Sequence, residues 1–395
     1  MTGSTGRGRA THHVVIGAGL AGAATAWQLA SRGHQVTVLE RDRPASMRGS
    51  SHGSARILRY AYPDPFYVRL MRDARVLWDR LERSTGTRIV TPTGSVDSGL
   101  VRRPAELARV LERVGIDHEL MSARAAEDRW PEMTFDSDVL FHPAAGVVDA
   151  EVAVRTMLDL AVAHGAVVHE GWTAASVERA GAGFRVASDD GRRVDGDSVV
   201  VGAGGWLPEL LAALPFPRAA LDRIPPLRVR QEQVFHFPYR QSPYRQSPYR
   251  QSPYRDGPPA RSVPTSIHMD ERMQVYALPG GRDVEGRGHK VAEFEGGRVI
   301  PSAAHQDGRV DPANRARVVD WVRRNLPGVD PVPYAESTCL FTSTPSEDFV
   351  IDRMEGITIV SPCSGHGAKF APLIGSLAAD AATGERVEPR FAFAP

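Results

Sequence analysis

The chain has 395 residues, a formal net charge of +1 and a hydrophobic share of 42%. That length supports two subdomains with cores of their own, and the near-neutral balance gives no global field for nucleic acid or an anionic membrane. Two cysteines, Cys339 and Cys363, make neither a disulfide framework nor a zinc pattern, and no apolar run is long enough to span a bilayer. No apolar signal core precedes Thr11, so residues 1–10 are expected to be a disordered tail on a cytoplasmic protein.

In chain order, residues 13–16 read as a short buried strand, 17–22 as a tight turn and 23–31 as a helix with Gly33 just past its end. Residues 35–40 form a second strand and close a βαβ unit. Leu70, Met71, Ala74, Trp78 and Leu81 share one face of a helix over 66–81. A helix over 151–164 and strands over 166–169 and 198–201 follow. Asp311 and Pro312 cap a helix that runs to Leu326, where Pro327-Gly328 stops it. Strands at 349–352 and 358–360 precede a final helix from about Pro372.

Nucleotide-type elements thus stand at the start, middle and end of the chain. The expected fold class is α/β, a discontinuous Rossmann-like nucleotide domain (11–88, 146–218 and 336–385) with an inserted antiparallel-sheet α+β substrate domain (89–145 and 219–335). Residues 238–255 repeat Pro-Tyr-Arg four times, spaced by Gln-Ser. A proline every five residues builds neither helix nor ladder strand, so this reads as a solvated loop enlarged by tandem duplication rather than a polyproline-type ligand for a partner.

Gly17, Gly19 and Gly22 suit a turn where backbone approaches a pyrophosphate at a helix N-terminus. Glu40, at the end of the second strand, is placed for ribose hydroxyls. FAD and NAD share this fingerprint, and the residues around it do not choose between them. Near the other end, Cys339 precedes a glycine-rich turn, Ser364-Gly365-His366-Gly367-Ala368-Lys369, which suggests a flavin held from both sides.

Residues 49–62, from Gly49-Ser-Ser-His52 through Arg56 and Arg59, resemble the segment after the fingerprint in the monomeric sarcosine oxidase and N-methyltryptophan oxidase family. Cys339, residues 347–352 and residues 364–369 carry the same resemblance, which runs from about 12 to 385. It implies the D-amino-acid-oxidase-type flavoprotein fold, FAD as cofactor and no metal. It also implies a monomer whose partners are a secondary amino acid and dioxygen. Cys339 matches the cysteine that joins the flavin 8α carbon, a step that needs a thiolate and nearby cations. His52 and Arg56 match residues beside the flavin that could supply that field, while Cys363 has no counterpart and reads as core. Arg59 and Lys369 match a clamp for the substrate carboxylate. Gly365 and Gly367 bring N–H groups to the flavin pyrimidine edge, His366 lies near it, and Lys290 matches the lysine that activates oxygen. Tyr276 matches an active-site tyrosine.

Three departures bear on substrate. A family histidine falls on Phe294, a tyrosine on Phe341 and a threonine on Ala55. Phenyl rings in place of polar groups make the pocket more apolar, so a bulkier N-methyl or cyclic secondary amino acid is expected over sarcosine. The expected activity is FAD-dependent oxidation of that amine to an imine with release of hydrogen peroxide. The alternatives are a dehydrogenase of the same fold with another electron acceptor, and a flavin-bearing binding protein acting through the repeat.

Overall fold

The computed structural model describes residues 10–240 and 263–394. The expected tail, Ala10 apart, and the repeat beyond Arg240 lie outside the described residues. A six-stranded sheet runs in the order Val350–Met354, Ile357–Ser361, Ser198–Val201, His12–Ile16, Gln35–Leu39, Val167–His169. All its pairings are parallel except that of Val350–Met354 with Ile357–Ser361. The strand Ser198–Val201 is buried throughout, as expected for a sheet covered on both faces. The helices Leu20–Ser31, Ala150–Ala163 and Ala371–Thr383 share one core on one face. A three-stranded meander, Ala174–Ala180, Gly183–Ser188 and Arg193–Gly196, contributes Val177, Phe184 and Val186 to a second core with Val199 and Val201.

The helix Pro65–Thr85 shows how local sequence sets an element. Asp64 accepts from the Phe66 N–H at 2.8 Å, Pro65 opens the first turn and Gly86 ends the helix in the left-handed region. Its buried face is Tyr67, Val68, Met71, Ala74, Trp78 and Leu81. Asp311 caps Pro312–Asn325 in the same way, through the Ala313 and Asn314 N–H groups.

The larger, nine-stranded sheet is mostly antiparallel, with one parallel pairing between Thr265–Met269 and Ser95–Ser98. Its long strand Arg228–Pro238 pairs along one side with Ala335–Ser343. On the other side it meets Arg298–Ile300 and then Gly288–Glu293. The strand carrying Cys339 therefore belongs to this sheet, held by nine successive cross-strand pairs. Gln231 and Gln233 turn toward residues 307–311, while Phe235 and Phe237 pack with Val318 and Trp321 of Pro312–Asn325. The opposite face carries Cys339, Phe341, Lys290 and Tyr276, which line a cavity.

Two further differences have physical reasons. Helices Pro104–Val114 and Ala123–Arg129 stand in a stretch where no helix is placed from sequence, because their apolar positions pack into cores made by distant segments. The first copy of the repeat is part of the fold. Pro238 ends the ladder opposite Gly288, Tyr239 bridges to Val329, and the Arg240 N–H donates to the Gly328 carbonyl at 2.9 Å. A proline at the last rung removes no donor that the ladder needs.

Candidate active site

The turn after His12–Ile16 is built by close approach. Gly17 has φ of +98°, and a Cβ on Gly22 would stand 1.8 Å from the Gly17 carbonyl oxygen. Only glycine fits both positions. The helix that follows starts at Leu20, three residues earlier than expected, with Gly19 as its N-cap, and Ser51 Oγ accepts from the Leu20 N–H at 2.9 Å. Glu40 accepts from the Ala18 N–H at 2.7 Å and the Asp42 N–H at 3.0 Å. A carboxylate has about four acceptor sites, so two remain for ribose hydroxyls. Burial raises its pKa despite those bonds.

These residues border a cavity of about 410 Å³ that runs past Gly17, Gly19, Glu40 and Arg41 to Arg56, Cys363, Gly365 and Gly367. Gly22 is not on its surface; it supports the turn from below. A positive helix end, an acidic acceptor one strand over and an elongated cavity between them fit a dinucleotide with its pyrophosphate at the turn. Cys363, expected in the core, lines this cavity, because the turn 364–367 lifts it to the sheet's end; its Sγ accepts from the Thr342 N–H at 3.4 Å.

A second cavity, of about 280 Å³, adjoins the first at Ser50, Arg56, Leu340, Phe341, Gly365 and Ala368. Arg59, Lys369, Lys290, Tyr276, His366 and Cys339 all line it. The Arg59 guanidinium carbon lies 4.4 Å from the Tyr62 ring centre and Lys369 Nζ lies 5.8 Å from it, so the two expected clamp residues converge on one ring. Arg59 donates to the Ala61 carbonyl and Lys369 Nζ to the His366 carbonyl at 2.8 Å. Burial, and then Arg59, holds the Lys369 pKa well below the ordinary lysine range. Lys290 Nζ donates to the Ala55 carbonyl at 3.3 Å, and burial with Arg56 brings its pKa down to about 7. Burial also pushes the Tyr276 phenol well above its usual range.

Phe294 and Phe341 stand with ring centres 5.9 Å apart, and a Cβ on Gly365 would meet both. Together they wall the cavity beside the glycine turn.

The field expected around Cys339 needs correction in two respects. His52 lines neither cavity: its Nδ1–H donates to the Gly49 carbonyl at 2.8 Å, and burial plus Arg56 drives its pKa down to about 3, so it carries no charge. The Cys339 thiol is pushed up to about 11, because burial outweighs Arg56 and Lys290. Arg56 lines both cavities, donating to the Ala55, Ser50 and His52 carbonyls. His366 has both nitrogens engaged. Nε2–H donates to the Glu347 carbonyl at 3.0 Å, which leaves Nδ1 to accept from Tyr62 Oη at 3.2 Å, and burial keeps the ring neutral with a pKa of about 3.

Sequence reading missed Tyr62, Arg102 and Glu347 on the cavity wall. Tyr62 and Glu347 lay inside segments already singled out. Arg102, ion-paired with Asp97 at 2.6 Å, comes from a loop with no motif and reaches the cavity only through sheet pairing.

The fold and the paired cavities define a dinucleotide-binding redox protein. Residues 12–381 match the FAD dependent oxidoreductase family, and the chain belongs to it. It is 32% identical over 398 residues to monomeric sarcosine oxidase of Streptomyces avermitilis, covering 97% of this chain and 96% of that protein. It is 28% identical over 377 residues to N-methyl-L-tryptophan oxidase of Yersinia pestis, covering 93% of each. Among solved structures, NikD, described as an unusual amino acid oxidase essential for nikkomycin biosynthesis, superposes with a TM-score of 0.81 at 22% identity over 98% of both chains. L-proline dehydrogenase from P. horikoshii gives 0.77 at 19% identity over 97% of this chain and 96% of that one. The expected family, α/β fold class and FAD dependence are borne out. Among the described residues, no helix is long and apolar enough to cross a membrane.

Proposed function

We propose that the chain oxidises a secondary α-amino acid, N-methylated or cyclic, to an imine and passes the electrons to dioxygen, giving hydrogen peroxide. The observation that carries this reading is the meeting of Arg59 and Lys369 over Tyr62, in a cavity that adjoins the nucleotide cavity. When bound, FAD supplies the acceptor for a hydride from the amine carbon.

Arg59 and Lys369 bind the substrate carboxylate through charge-assisted contacts. That anion relieves the repulsion between them, which is the second cause of the low Lys369 pKa. The same cations repel a protonated amine and select the neutral form, whose nitrogen lone pair assists loss of hydride, so no general base is assigned. Lys290 holds a compact positive charge where dioxygen gains electrons. The phenyl wall of Phe294 and Phe341 favours a bulky or cyclic substrate over sarcosine.

Cys339 joins the flavin as a thioether in this reading, with Arg56 and Lys290 favouring its thiolate against burial. The six-stranded sheet holds FAD and the nine-stranded sheet walls the substrate. The protein acts as a monomer, as the name of the Streptomyces relative says of that enzyme.

A panel of secondary amines added under argon tests the proposal. Flavin bleaching is expected with N-methyl or cyclic amino acids larger than sarcosine, followed by fast recovery and peroxide on admitting air. Sarcosine outperforming every larger amine contradicts the substrate reading. Bleaching with sluggish recovery in air points to a dehydrogenase instead.

A further inference from the structure

The strand Arg228–Pro238 carries a carboxyl that the proposed reaction does not use. Glu232 is 1% exposed and stands directly opposite Cys339 in the antiparallel pairing. Opposed residues in such a pair project from the same face, with Cβ atoms about 5 Å apart. The register of the neighbouring strands puts Lys290 and Tyr276 on that face too, and both line the second cavity with Cys339. One carboxyl oxygen, Oε2, accepts from the Gly297 N–H at 3.0 Å. The other, Oε1, is buried and has no hydrogen-bond partner among the described residues.

A buried acceptor left unpaired is costly, so it calls for an explanation. Anchoring the turn at Gly297 uses only Oε2. We infer that Glu232 is the proton acceptor that prepares Cys339 for its bond to the flavin, a role that rests on the covalent reading above. At this spacing one water can bridge carboxyl and thiol.

The protonation states support the role. Burial pushes Glu232 up to about 7, close to neutral pH, where a base of that strength is effective. The thiol, at about 11, cannot ionise unaided at neutral pH. The charged or titratable groups acting on Glu232 are Arg230 on its own strand and Glu293 and Glu295 around the next turn. Tyr276 and Cys339 face it from neighbouring strands.

In the attachment step, the S–H bond breaks and its proton goes to Glu232 Oε1. The sulfur pair forms the C–S bond as one C–H of the flavin 8α methyl breaks, its proton passing to solvent, from which dioxygen later draws the two protons of hydrogen peroxide. The two electrons enter the flavin ring, and dioxygen, the oxidant, removes them as hydrogen peroxide. Glu232 then returns its proton to solvent.

The test follows acid-stable flavin in the full-length chain after FAD is added to protein prepared without flavin. Wild type is expected to give a yellow acid pellet, with a rate of attachment that rises with pH through about 7. Glu232→Gln keeps an acceptor for Gly297 but cannot take the proton, and its attachment should slow about 100-fold, the scale of a lost general base. Its uptake of acid-releasable FAD should match wild type. Attachment by Glu232→Gln at the wild-type rate overturns the role and leaves the covalent reading intact. A colourless wild-type pellet overturns both. Should the variant fail to fold, the wild-type profile decides: a rate that climbs only above about pH 9, with no inflection near 7, also overturns it.

Discussion

Lys290 and Lys369 are the same residue type held by burial in different company, and the difference assigns them different tests. Among the described residues Lys369 makes no ion pair, so a substrate carboxylate would supply its counter-charge, and Lys369→Met and Arg59→Met should each lower kcat/KM for the amino acid. A charge-assisted hydrogen bond is worth about 1.5–3 kcal/mol, which corresponds to roughly 10- to 150-fold. Anaerobic stopped-flow measurement of flavin reduction reads this directly. Lys290 sits near a pKa of about 7. Its cationic form is present below that value and lost above it, so the oxygen reaction should slow as pH rises through about 7. Lys290→Met should remove that pH dependence while amine-driven reduction proceeds at a near-normal rate. Equal slowing of both half-reactions would argue against the assignment.

Elements explain why these residues meet. The Trp78 Nε1–H donates to the Lys369 carbonyl at 2.7 Å, so the helix Pro65–Thr85 fixes the turn that presents the lysine. Trp78→Phe keeps most of the volume but strands that carbonyl; a loss of about 1–3 kcal/mol is expected in denaturant melts, with weaker substrate affinity. Gly22→Ala should cut FAD uptake sharply, because its Cβ would overlap the Gly17 carbonyl. The nucleotide end was legible because strand, glycine turn, helix and Glu40 lie within one βαβ unit and each has a local signature. Capped helices such as Pro65–Thr85 were legible for the same reason. The placement of Cys339 in the large sheet was not, since pairing with Arg228–Pro238 spans a hundred residues of chain and leaves no local mark. The charge state of His52 was equally hidden. Its motif gives a neighbourhood, whereas burial decides whether a proton stays on.

Across the whole molecule, buried neutral histidines set the acid limit. His13 and His236 are lowered to about 4, and His52, His289 and His366 to about 3, mainly by burial. An unfolded histidine titrates near 6.5, so between about 6.5 and 4 the unfolded chain binds protons that the folded chain refuses. Stability from these groups is full above 6.5 and is lost as pH falls. Glu232, raised to about 7, works oppositely over part of that range, since the folded form takes its proton first. Glu40, Asp149 and Glu347, also raised by burial, act in the same sense as Glu232. The five lowered histidines outnumber these four carboxyls, so the melting temperature should drop from pH 6.5 to 4; a flat or rising curve would contradict this. The central claim concerns the two cations that converge on Tyr62, and one comparison tests it most directly. Under argon, flavin reduction by a secondary amino acid is measured beside reduction by its carboxamide, in the native protein and in Arg59→Met. The account predicts that the native protein prefers the acid by about 100-fold and that the variant loses most of that preference. Equal rates for acid and amide in the native protein would contradict it.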